Sequence, residues 1–575
     1  MKTNDRQRVI LHGLVVLAGL AAAMAFSLSM TVAPPPRSPA TTADFSLDNA
    51  LGHVRAIATE PHPADSLANA RVRAYLIDQF SRLGLDPQLQ TANVVRRNGD
   101  TQTVHNLLAR LPGRTATGKP QAAIMLAAHY DSVPGGPGAA DDTAAVAALL
   151  ETVRALQVGS PLGRDVLLLI TDGEEMGLLG ARGFFEWTEG AEWTARIGLV
   201  MNFEARGTAG PSVMFETAPH NLSFIRQFAA AAPHPIANSL SYDVYRLLPN
   251  NTDFTVFRAA GLKGLNFAFS GNYFYYHTKN DSPANLDPGS LYHHGSAALA
   301  LTRHFANLSN NELSALVSDD QPNAVYFNLT STFLARYPAT WIWPLTLLQW
   351  IVTALALTRA LRRRAITLSG LVGAAIRLVL ALLVTPAAVY GLILILRPPQ
   401  TPASFNLQLL AIAALSMVIT LAIALEFRRR VTPSDLAAAG LILFSVLSIP
   451  INLYLPGGSF VTLWPTLFAT GGFAATGHFR PLTWPSTIVC MVAVLPAVLL
   501  LVPLDTLVFT ALKLPEAPRL SILLVLTVWL VAGTILHAIK TPFIIPAKYA
   551  VKAVAEEHNY DPTELPHQSR QPTRK

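Results

Sequence analysis

Between about residues 340 and 540 the chain passes through seven apolar runs, near 340–358, 371–396, 407–426, 436–455, 460–476, 485–504 and 519–538. Each comes close to the roughly 20 helical residues that cross the hydrocarbon core of a bilayer. In lipid the backbone must satisfy its own N–H and C=O groups, so only helices and closed barrels span it, and continuous runs of this length are helical. Residues 340–540 are therefore expected to form a multi-span α-helical membrane domain of about seven helices. An earlier run, Val9–Ala33, follows Lys2, Arg6 and Arg8 and is also long enough to span. The small residues around VAPPP would suit removal of a signal peptide, but the length favours a retained anchor, which makes residues 1–43 a cytosolic N-terminus plus anchor.

The formal charge of +7 comes largely from basic residues between the apolar runs or at the chain ends. Arg359 and Arg362–Arg364 follow the first late run, Arg428–Arg430 the third, Arg480 the fifth, and Lys540, Lys548 and Lys552 the seventh. Basic clusters on alternate loops are topology signals, because such loops stay in the cytoplasm. They favour a membrane over a nucleic-acid partner, put both chain ends inside, and place everything between the anchor and the first late run on the exported side. That side is the periplasm in a bacterium and the lumen in a eukaryote. A transporter would carry ionisable groups within its spans. Here Arg377 lies near one end and Glu426, Asp435 and Asp505 lie at margins, so the expectation is an anchor or a platform that presents substrate. The one cysteine, Cys490, excludes a disulfide framework and a thiolate metal site.

Most acidic and histidine residues precede residue 312, which marks residues 44–311 as a soluble domain, 312–339 as a linker and 541–575 as a basic tail. In ADSLANARVRAYLIDQFSRLG, Leu67, Val72, Leu76 and Phe80 suggest one face of a helix. VHNLLARLPG, AAIMLAAHYDS, DVLLLITDGEE, IGLVMNFEARG and LKGLNFAFSGN read as strands, and DTAAVAALLETVRAL as a helix. Short continuous apolar strands alternating with helices imply a sheet covered on both faces, an α/β fold. In such sheets ligands gather beyond the strand C-termini. His129 and Asp131 follow one strand, Glu174 and Glu175 another, Glu204 ends a third, and His277 lies beyond a fourth, while Asp141 and Asp142 open a helix after a glycine-rich loop.

Singly, His129 reads as a satisfied structural histidine, Asp141 as a helix cap and the glutamates as solvated loop residues. Together, imidazole and carboxylate groups converging on one edge of a sheet suit zinc.

The segments AAHYDS, GAADDTA, ITDGEEMGLLGA, NFEARG and YYHTKND, in this order over roughly residues 45–310, resemble the M28 family of zinc metallopeptidases. The trailing spans make the chain most similar to that family's membrane-bound branch, the vacuolar membrane proteases and endoplasmic reticulum metallopeptidases. The resemblance implies an α/β/α sandwich with a mixed sheet, as in zinc aminopeptidases, and two Zn2+ ions. His129 and Glu204 would hold one ion, Glu175 and His277 the other, with Asp141 bridging. Glu174 would be the general base acting on a water shared by the ions. Asp131 would orient His129, Asp142 would follow the bridging residue across a cis peptide, and Tyr276 would donate a hydrogen bond to the oxyanion. Many soluble members carry aspartate where this chain has Glu204; the longer side chain still reaches. Arg206 would bind a substrate carboxylate or pair within the fold, and the aromatic stretch NYFYYH would line a substrate pocket or pack.

The leading expectation is thus a membrane-anchored dizinc peptidase, an aminopeptidase, acting on peptides. A single-zinc enzyme of the glutaminyl cyclase kind is the second reading, and a receptor or scaffold with a degenerate peptidase domain the third. The complete ligand set and Glu174 weigh against both. The sequence leaves oligomeric state open.

Overall fold

The computed structural model describes residues 3–114, 122–188, 190–426, 431–476, 483–511 and 514–539. The first helix is α1 (Thr3–Ser29), followed in the soluble domain by α2 (Leu47–Ile57), α3 (Leu67–Arg82), β1 (Gln88–Val95), β2 (Thr101–Leu111), β3 (Ala123–His129), α4 (Thr143–Val158) and β4 (Val166–Thr171). Then come α5 (Leu179–Glu186), α6 (Ala191–Thr194), β5 (Ile197–Ala205), β6 (Val213–Thr217), α7 (Leu222–Ala231), α8 (Ser239–Tyr245), α9 (Asp253–Ala259), β7 (Gly264–Phe269), α10 (Pro288–Ala306) and α11 (Asn310–Leu316).

These strands form one seven-stranded sheet in the order β1-β2-β4-β3-β5-β7-β6. β4, β3, β5 and β7 run parallel, while β1, β2 and β6 pair antiparallel at the two flanks, so the sheet is mixed. Every residue of β3 and β4 is buried, as expected for central strands covered on both faces. Leu126, Leu168 and Met201 join α2, α3, α4 and α10 in one core cluster, and Met125, Leu169 and Val200 join α5 and α9 in another. The α/β/α sandwich follows from that two-sided burial.

Two local readings change. In α3, Val72, Leu76 and Phe80 are buried, but Leu67 is 82% exposed. It is the first helical residue after the Ser66 cap, five positions before Val72 and off the four-residue spacing of the buried face. The strands β1 and β6 escaped the sequence reading because edge strands carry a weaker apolar signal than central ones. Residues 312–339 also hold more than a linker: β8 (Ala324–Thr330) and β9 (Phe333–Pro338) form an antiparallel hairpin.

The membrane part comprises α12 (Ile342–Arg362), α13 (Leu368–Ile395), α14 (Pro402–Leu425), α15 (Pro433–Tyr454), α16 (Ser459–Thr476), α17 (Trp484–Ala511) and α18 (Ala517–Ile539). A helix thus stands at each of the seven expected runs. Among the described residues, seven helices are long and apolar enough to cross a membrane: α1 and all of these except α16. α16 has 18 residues, about 27 Å of helix, and buries Thr462, Thr466, Thr470 and Gly472 within the bundle. The expected tail, residues 541–575, and the Arg428–Arg430 and Arg480 positions lie outside the described residues.

α1 packs along α17 in the same direction: His12 Nδ1 lies 2.8 Å from Thr487 Oγ1, and the Ser27 hydroxyl donates to Val498 O at 3.0 Å. The soluble domain seats on the end of the bundle where α1 finishes and α12 begins. There, between α15 and α16, Gly457 N–H donates to Asp243 Oδ2 at 2.7 Å, and its carbonyl accepts from Ser239 Oγ at 2.6 Å. A Cβ at Gly457 would lie 2.3 Å from Ser239 O, so only glycine permits this approach. Val325, Phe327, Ile342, Phe460 and Leu500 form a shared apolar cluster at the junction. Arg359 and Arg362 sit in the last turn of α12, about 30 Å away along the helix.

Candidate metal centre

Because β3, β4, β5 and β7 are parallel, their C-terminal ends lie on one edge of the sheet. His129 is the last residue of β3, Glu174 and Glu175 follow β4, Glu204 is next to last in β5, and His277 lies in the loop after β7. Asp141 arrives from the β3–α4 loop and completes the group. The Asp141–Asp142 peptide is cis.

The Asp141 carboxylate stands between two imidazoles. Its Oδ1 is 3.2 Å from His129 Nε2 and its Oδ2 is 3.1 Å from His277 Nε2. Glu204 Oε2 lies 3.7 Å from the same His129 nitrogen, and Glu175 Oε1 lies 3.0 Å from His277 Nε2. Tetrahedral bonds of about 2.0–2.1 Å would put donor atoms about 3.3 Å apart, so these separations fit ions held between the donors. Donor atoms of His129, Asp141 and Glu175 lie within 4.8 Å of one another, as do those of His129, Asp142 and Glu204. Asp142 therefore stands closer to the donor set than the sequence implied. Its Oδ2 accepts the His129 backbone N–H at 3.2 Å, Oδ1 is buried without a hydrogen-bond partner, and the side chain does not cap α4.

His277 has a left-handed backbone, φ 59°, and its loop rests on the glycine-rich turn after β3. A Cβ at Gly136 would lie 2.4 Å from Thr278 O. That close approach brings His277 within reach of Asp141, and it explains the glycines among the acidic residues.

Asp131 does more than orient His129. The ring Nδ1 lies 3.0 Å from the Asp131 backbone oxygen and 3.4 Å from its carboxylate. That carboxylate also accepts the backbone N–H groups of Glu174 at 3.0 Å and Glu175 at 3.2 Å, tying the β4 loop to the β3 loop. Two aspartates were missed by sequence reasoning. Asp281 accepts the N–H groups of Ala140 at 2.7 Å and Asp141 at 3.2 Å, fixing the loop that carries the central carboxylate. Its place in YYHTKND was the available signal. Asp253, hydrogen-bonded to the Thr171 hydroxyl, sits at the start of α9 beside a Thr252–Thr255 capping box and looks in sequence like an ordinary helix start.

The electrostatics are those of a cluster lacking positive charge. Burial pushes Glu174 well above the ordinary carboxylate range, and Glu204 and Asp253 add to the push. Burial and then Asp141 raise Glu175 to about 7. Burial alone would lower His277, yet Asp141 and Glu175 beside it raise it to about 9. Among the described residues, the carboxylates of Asp141, Glu175 and Glu204 form ion pairs only with His129 and His277. Dications would supply the missing charge, and these imidazole and carboxylate donors suit zinc.

The cluster opens into a cavity of about 730 Å³ lined by Asp141, Glu174, Glu175, Glu204, Tyr276 and His277. The Tyr276 ring stacks on His277 at 3.7 Å between centroids, and burial pushes its phenol up, so it stays a donor. Arg206 also lines the cavity. The rest of the aromatic stretch does not: Tyr273 and Phe274 pack on Phe405 of α14, and the Tyr275 hydroxyl donates to Gln400 O at 3.3 Å.

Peptidase family M28 matches residues 106–302. Human endoplasmic reticulum metallopeptidase 1 is 30% identical over 240 residues, covering 41% of this chain and 26% of the relative. A vacuolar membrane protease of Candida albicans is 30% identical over 288 residues, covering 49% of this chain and 31% of the relative. The chain thus spans between a quarter and a third of the length of these relatives. Among solved structures, a glutaminyl cyclase of Porphyromonas gingivalis superposes with a TM-score of 0.37 at 20% identity, over 45% of this chain and 98% of that one. With its apolar helices, this is a multi-pass membrane protein. The matched segment, which carries every residue of the cluster, is similar to peptidase family M28.

Proposed function

We propose that the protein is a membrane-anchored dizinc metallopeptidase, an aminopeptidase, with His129 and Glu204 on one ion, Glu175 and His277 on the other, and Asp141 on both. The observation that carries this reading is the Asp141 carboxylate, each oxygen of which faces a different imidazole nitrogen. When bound, such ions polarise the substrate carbonyl and acidify the attacking water. Among the described residues the Glu174 carboxylate accepts no hydrogen bond and pairs with no cation, yet it borders the cavity, where a general base is required. Glu174 takes the proton of the attacking water and passes it to the leaving amine. Asp131 holds Glu174 and Glu175 in register through their backbone, and Tyr276 donates to the oxygen on which charge develops.

The purified full chain should contain two zinc ions and cleave aminoacyl amides or short peptides, and a chelator should abolish that cleavage. One zinc per chain with cyclisation of amino-terminal glutamine would favour the cyclase reading instead, and metal-replete protein inert towards every peptide would favour a receptor.

The peptidase domain lies on the exported side in this reading. Support comes from its seat at the end of the bundle away from Arg359 and Arg362. Reporter fusions at Thr42 and after Lys575 should report from opposite sides of the membrane; the same side for both would overturn the topology.

A further inference from the structure

The soluble domain does not enclose the catalytic cavity alone. Leu504, Leu507 and Val508 of α17 stand in its wall, together with Leu240 and Val244 of α8. The three α17 residues are spaced i, i+3, i+4 and share one helix face. α8 is itself fastened to the membrane domain through Ser239 and Asp243 at Gly457. A second cavity of about 110 Å³ shares Val213, Ser270, Leu504 and Leu507 with the first and extends to Met30 at the end of α1. An apolar lining thus runs from the carboxylate cluster along α17 towards the anchor helix.

We propose that α17 is the specificity wall of the peptidase site, so that the enzyme selects short peptides with a large apolar side chain beside the scissile bond. The proposal rests on the metallopeptidase reading above and adds the substrate class. A charged side chain against Leu504, Leu507 and Val508 would lose water without gaining a partner, whereas an apolar one completes the packing. The cavity volume suits a few residues of peptide rather than a folded protein. Arg97 and Arg206 also border the cavity, which makes preference for an acidic side chain the opposing outcome. On this proposal the membrane domain builds part of the active site in addition to anchoring it.

The test uses the full chain in detergent. The one native cysteine, Cys490, is 0% exposed, so a Leu507→Cys change introduces the accessible thiol. In a Glu174→Gln background, which does not consume the probe, tri-leucine should slow maleimide labelling of that thiol at least tenfold and tri-aspartate should not. Separately, Leu507→Ala should lower the ratio of kcat/KM for a leucyl over an alanyl peptide by about tenfold, the scale set by lost methylene contacts in an apolar pocket. Equal or better protection by tri-aspartate, or an unchanged leucyl-to-alanyl ratio, would overturn the wall. Hydrolysis without tri-leucine protection would also defeat it while sparing the metallopeptidase reading. Protection by tri-leucine with no peptide hydrolysed by the parent chain would sink the metallopeptidase reading, and with it a role for α17 in catalytic specificity.

Discussion

Glu174→Gln is expected to lower turnover by about 10²–10⁴-fold while zinc content and fold stay at parent levels. The amide has nearly the shape of the carboxylate, and Glu174 contributes no donor to either candidate group of metal ligands. It cannot accept the proton of the attacking water at neutral pH, so the loss falls on kcat rather than on substrate binding. Glu175→Gln behaves differently. Glu175 Oε1 lies 3.0 Å from His277 Nε2 and belongs with His129 and Asp141, so a neutral amide there weakens metal binding as well as activity. Zinc analysis and steady-state kinetics on the two purified variants separate adjacent glutamates with different work. Parent-level turnover in Glu174→Gln would remove it from the proton transfer.

Asp141→Asn has the widest expected effect on metal content. Asp141 is the residue shared by the two imidazoles, so halving its donor oxygens and removing its charge weakens both ions together, and activity is lost with them. The drop in affinity should exceed the roughly 10–100-fold that follows loss of a group one step removed from a metal. His129→Ala serves as the comparison, since it removes a donor mainly from one ion. Titration of the metal-free full chain with zinc should give two weakened sites for Asp141→Asn and one for His129→Ala. Two full-affinity sites in Asp141→Asn would refute the bridging role.

The central strands and the spans were legible because each is a local pattern. AIMLAAH and VLLLIT are continuous apolar runs of strand length, and the runs after residue 340 have the length of a bilayer. His129, Asp141, Glu174, Glu175, Glu204 and His277 were legible because the C-terminal ends of parallel strands share an edge; the last five line one cavity, and His129 is buried beside them, 3.2 Å from Asp141. Asp281 and Asp253 were not, because each is an ordinary loop or helix-start aspartate until a contact across more than 80 residues gives it a partner. The α16 run shows the limit of apolar length as evidence. Its threonines and glycines dilute the apolar character of the run, and they pack within the bundle.

The sequence by itself determined that an α/β domain joins a helical membrane domain, and that imidazole and carboxylate side chains stand at the ends of its strands. Periodicity and strand-end position are properties of neighbouring residues along the chain. Only the tertiary structure decided what Asp131 and Asp281 hold in place, that Tyr273 to Tyr275 face α14 rather than the cavity, and that α17 reaches the carboxylate cluster. Leu504 and Glu174 lie 330 positions apart in sequence, and no local pattern encodes their meeting. It arises because glycine at 457 lets the α15–α16 turn close on Ser239 and Asp243, seating the domain on the bundle with its open edge against α17.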